Sequence, residues 1–77
     1  MQKRSVTIAG HRTSISLEEE FWELLTAAAA DEGLPLAQLV ARIDEERTTN
    51  LSSAIRVWLL RRLLTRLAEN GGTAPEA

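Results

Sequence analysis

With 77 residues, no cysteine and a single histidine, the chain is one domain at most, without a disulfide framework or a thiolate or His/Cys metal site. A monomer this small buries little surface, so association with a partner is the obvious remaining source of stability. The formal net charge of -2 argues against a uniformly basic nucleic-acid binder, and apolar runs such as Val57 to Leu60 are far too short to span a bilayer.

The distribution of charge says more than its sum. Residues 1–17 carry Lys3, Arg4 and Arg12 with no acid, residues 18–46 hold nine of the 11 acids, and residues 47–67 carry five arginines with no acid. Such segregation predicts either two electropositive surfaces divided by an acidic one, or opposite blocks that pair with each other. Met1 to Arg12 is polar and basic and lacks the apolar stretch of an export signal, so a cytoplasmic protein with no membrane partner is expected.

The first predicted element is a strand over residues 12–17. Thr13, Ile15 and Leu17 alternate with Arg12, Ser14 and Ser16, the period-two pattern of a half-buried strand. Val6 and Ile8 also alternate, so residues 1–11 form an N-terminal arm that is either extended or a short earlier strand broken at Ala9-Gly10.

Helices are predicted at about 18–32, 35–46 and 51–69. Phe21, Leu24, Leu25 and Ala28 recur at helical spacing behind Glu18, Glu19 and Glu20, which suit the positive end of a helix dipole. Ser16 and Glu19 have capping-box spacing, and Gly33 supplies the stop. Leu36, Leu39, Val40 and Ile43 form the stripe of the second helix, and Asn50 or Ser52 is placed to cap the third.

The third helix is apolar on more than one side. Leu51, Ile55, Trp58, Leu59, Leu63 and Leu67 make one face, and Val57, Leu60 and Leu64 cover much of another, which calls for a second subunit as cover. Residues 70–77 have the composition of a disordered tail, and no internal repeat is evident.

A lone six-residue strand leaves its edges unpaired, but in a symmetric dimer it can pair antiparallel with its own copy. Such a ribbon would turn Thr13, Ile15 and Leu17 inward and present Arg12, Ser14 and Ser16 twice on its outer face. A two-stranded ribbon fits the major groove of double-stranded DNA, where arginine bonds guanine and serine serves as donor or acceptor. Enzymatic readings have no support: His11 lacks a triad framework, the Glu18–Glu20 run is a solvated helix start, and Gly71-Gly72 lies in a polar tail. No catalytic residue, metal or cofactor is expected.

The run Arg12-Thr-Ser-Ile-Ser-Leu-Glu-Glu-Glu-Phe-Trp-Glu-Leu-Leu resembles the ribbon-helix-helix family of bacterial and phage repressors (Arc/MetJ/CopG-like). Asn50-Leu-Ser-Ser-Ala-Ile-Arg-Val-Trp-Leu resembles that family's second helix, and Lys3-Arg-Ser-Val-Thr-Ile-Ala-Gly-His-Arg is similar to the opening of a short bacterial subgroup. The resemblance spans most of residues 3–67. It implies a mainly helical, intertwined homodimer with an intersubunit antiparallel ribbon and an extra helix. It also implies a sequence-specific, DNA-binding transcription regulator, a repressor or autoregulator with more than one dimer on its operator. Carried over by position, Arg12, Ser14 and Ser16 read bases. Lys3, Arg4, Asn50, Ser52 and Ser53 contact phosphate, and Ile15, Leu17, Phe21, Leu25, Ile55, Trp58 and Leu59 form the dimer core. Either residues 35–46 are an insertion and residues 51–67 the family's second helix, or the reverse. The rival reading is the same dimer used as a protein-interaction module or antitoxin-like adaptor with a protein partner.

Overall fold

The computed structural model describes residues 1–70, and the tail expected over residues 71–77 lies outside them; Asn70, counted with that tail, instead ends the last helix. The chain runs β1 (Gln2–Ile8), β2 (His11–Leu17), α1 (Glu19–Glu32), α2 (Leu36–Glu46) and α3 (Leu51–Asn70). All three helices were expected at these positions to within a residue or two. The strand content was not: there are two strands rather than one.

Within the arm over residues 1–11, Gln2–Ile8 is a strand that folds back on its successor. β1 and β2 pair antiparallel in one unbroken register, from Gln2 opposite Leu17 to Ile8 opposite His11. Residues Ala9 and Gly10 form the turn with φ of 52° and 82°. Two consecutive positive values give the turn a twist that matches the right-handed twist of the flanking strands. Gly10 adopts its value freely, whereas Ala9 does so against its own Cβ. One edge of β2 is therefore paired within the chain, and its other edge is open.

Pairing sets the faces. Residues opposite one another across an antiparallel pair share a face, and successive residues alternate. Val6, Ile8, Ile15 and Leu17 point inward and are buried. They meet Trp22, Leu25, Ala28 and Ala29 of α1, Leu39, Val40 and Ile43 of α2, and Ile55 and Leu59 of α3 in one core. Trp22 is buried in this core, yet its indole N–H still donates to the carbonyl of Gln2 at 2.9 Å, which ties the start of β1 to α1.

The helix ends follow local chemistry. Gly33, with φ of 69°, closes α1 by donating to Ala30 O while Leu34 N–H reaches Ala29 O. Asn50 Oδ1 accepts from Ser53 N–H at 2.9 Å and so caps α3. The capping box expected of Ser16 and Glu19 does not form: Glu18 precedes α1 and makes no side-chain cap bond. Ser16 stays on the strand, opposite Lys3.

Candidate nucleic-acid interface

The outer face of the hairpin carries Lys3, Ser5 and Thr7 from β1 and Arg12, Ser14 and Ser16 from β2. They stand in cross-strand pairs, Lys3 with Ser16, Ser5 with Ser14, and Thr7 with Arg12. Five of the six are exposed and Ser16 is half-buried. Neither strand contains an acid, so the face is two cations and four hydroxyls with nothing to repel an anion.

Sequence reasoning placed Arg12, Ser14 and Ser16 on this face and missed Ser5 and Thr7. A signal for them exists. Lys3-Arg-Ser-Val-Thr-Ile8 and Arg12-Thr-Ser-Ile-Ser-Leu17 follow one pattern of cation, any residue, serine, β-branched aliphatic, hydroxyl, aliphatic.

Arg4, grouped with Lys3 as a phosphate ligand, lies on the opposite face. Its guanidinium sits 4.8 Å from the centroid of the Trp22 ring and donates to Gln2 Oε1 at 2.9 Å. The turn end of the hairpin comes close to the start of α3. A shallow hollow there is lined by Ile8, Ala9, His11, Thr13, Asp44, Arg47 and Leu51. Asn50 is exposed and Ser52 and Ser53 are half-buried, so three of the five residues expected to meet phosphate cap and open α3 beside that hollow. The amino end of a 20-residue helix favours an anion, and capping by Asn50 satisfies only one of its free N–H groups.

Of the two readings of the charge blocks, the pairing of opposite blocks describes the second basic block, four of whose five arginines make ion pairs within the chain. Arg56 Nε lies 2.9 Å from Glu18 Oε1. Arg62 reaches Asp31 at 3.2 Å and Glu32 at 3.8 Å, and Arg66 reaches Asp31 at 3.3 Å. The hydrogen bond from Arg56 holds the Glu18 carboxyl below its ordinary range, with help from a backbone hydrogen bond. The acidic α1 is thus clamped to α3, and the hairpin keeps its positive charge.

Of the residues expected in a dimer core, Ile15, Leu17, Leu25, Ile55 and Leu59 are buried inside this chain, and Phe21 and Trp58 are half-buried against the same core. The exposed large apolar side chains of the helices are on α3: Val57, Leu60, Leu63, Leu64 and Leu67. Val57, Leu60, Leu64 and Leu67 alternate at three- and four-residue spacing, the seam of a helix that packs on another helix. Among the described residues no side chains group as a metal site and no helix is long and apolar enough to cross a membrane.

A ribbon-helix-helix domain model matches residues 1–63, a span that takes in the hairpin, α1, α2 and most of α3. The match takes in α1 and α2 whole and α3 as far as Leu63. The solved structure of an uncharacterized protein from Bordetella pertussis Tohama I is 32% identical, with a TM-score of 0.71 over 96% of this chain. The chain spans 62% of that protein's length. No curated protein matches the chain. Ribbon-helix-helix domains are non-enzymatic modules that generally dimerise and bind DNA as transcription regulators. The chain, with its paired ribbon followed by helices and a family match over residues 1–63, is a member of the ribbon-helix-helix family.

Proposed function

We propose that the protein is a cytoplasmic, sequence-specific DNA-binding regulator, a homodimer that represses or autoregulates by occupying its operator. The observation that carries this reading is the outer face of the hairpin, which is exposed, acid-free and edged by Lys3 and Arg12. Arg12 is suited to the O6 and N7 of guanine, and Ser14 and Ser16 to donor or acceptor positions on neighbouring bases. The free N–H groups at the start of α3, with Asn50, Ser52 and Ser53, suit the phosphate backbone beside the groove. The exposed stripe from Val57 to Leu67 supports a homodimer, because burial of that stripe against a second copy removes apolar surface from water. A two-fold dimer in turn reads a palindrome.

The test is selection from random duplex DNA at near-physiological salt, with the Arg12→Ala, Ser14→Ala double variant beside the parent. Enrichment of one site by the parent and its relaxation in the variant, with both folded, is the expected outcome. Absence of any enriched site by a folded parent overturns the reading. It would favour the second one, a dimeric protein-interaction module, for which the same exposed leucine stripe is the supporting observation.

A further inference from the structure

We draw no further inference here: the strongest candidate, the exposed apolar stripe of α3 from Val57 to Leu67, restates the dimerisation general to the family when it is buried against a second copy, and nothing in the structure shows another partner that covers it.

Discussion

The guanidinium of Arg4 lies 4.8 Å from the centroid of the Trp22 ring, on the inner side of the hairpin, while its neighbour Lys3 points outward. Two adjacent cations thus do different work. Arg4, together with the bond from Trp22 Nε1 to Gln2 O, fastens the hairpin to α1. Arg4→Ala should cost about 1 kcal/mol of stability through the lost cation–π contact and stem packing. It should leave the slope of log affinity against log salt unchanged, whereas a phosphate ligand would reduce that slope by about one when removed. Denaturant unfolding and a salt titration of DNA binding check the two halves, and a shallower slope in Arg4→Ala would show that the side chain touches DNA.

The turn stores strain that can be released. Ala9 holds φ at 52°, where its Cβ crowds the following carbonyl, and Gly10 beside it needs no such effort. Ala9→Asn should stabilise the fold by about 0.5–1 kcal/mol, since asparagine tolerates this region and Asn-Gly is the favoured pair for such a turn. Equilibrium unfolding measures the effect, and a loss of stability would argue against the turn described.

On α3, Leu60 is 53% and Leu64 55% exposed, so neither is needed for the fold of a single chain. Leu60→Glu with Leu64→Glu should leave helical content intact and convert a dimer to a monomer in sedimentation. A parent that is monomeric at working concentration, or a variant that stays dimeric, would remove this seam from the account.

The link between α1 and α3 should fade in acid. Arg56 holds the Glu18 carboxyl below the ordinary 4.5, so the folded chain binds that proton less readily than the unfolded chain. The stabilisation is therefore complete above about pH 4.5 and is lost as pH falls through the lower folded value. Both partners are partly exposed to solvent, which keeps the effect small. Glu18→Gln should narrow the gap in melting temperature between pH 6 and pH 3, and an unchanged gap would contradict the link.

The helices and the inner face of β2 were legible because they rest on periodicity: Phe21 to Ala28 and Leu36 to Ile43 repeat at helical spacing, and Thr13, Ile15 and Leu17 at strand spacing. β1 was harder to read, since only Val6 and Ile8 of its seven residues are buried and alternation over so few positions is a weak signal. Ala9-Gly10 concealed the hairpin further, because alanine is an unusual residue for its first turn position. The arginines of α3 could not be assigned from composition, as only packing brings Arg56 to Glu18 and Arg62 to Asp31, residues far apart in the chain.

The central claim is that the outer hairpin face reads DNA, and backbone amide shifts recorded during titration with a selected duplex test it most directly. Perturbation should concentrate along residues 3–16 and the first turn of α3, with little change at Leu60 to Leu67 beyond that of the dimer itself. Perturbations centred on the α3 stripe, with the hairpin amides unmoved, would contradict it.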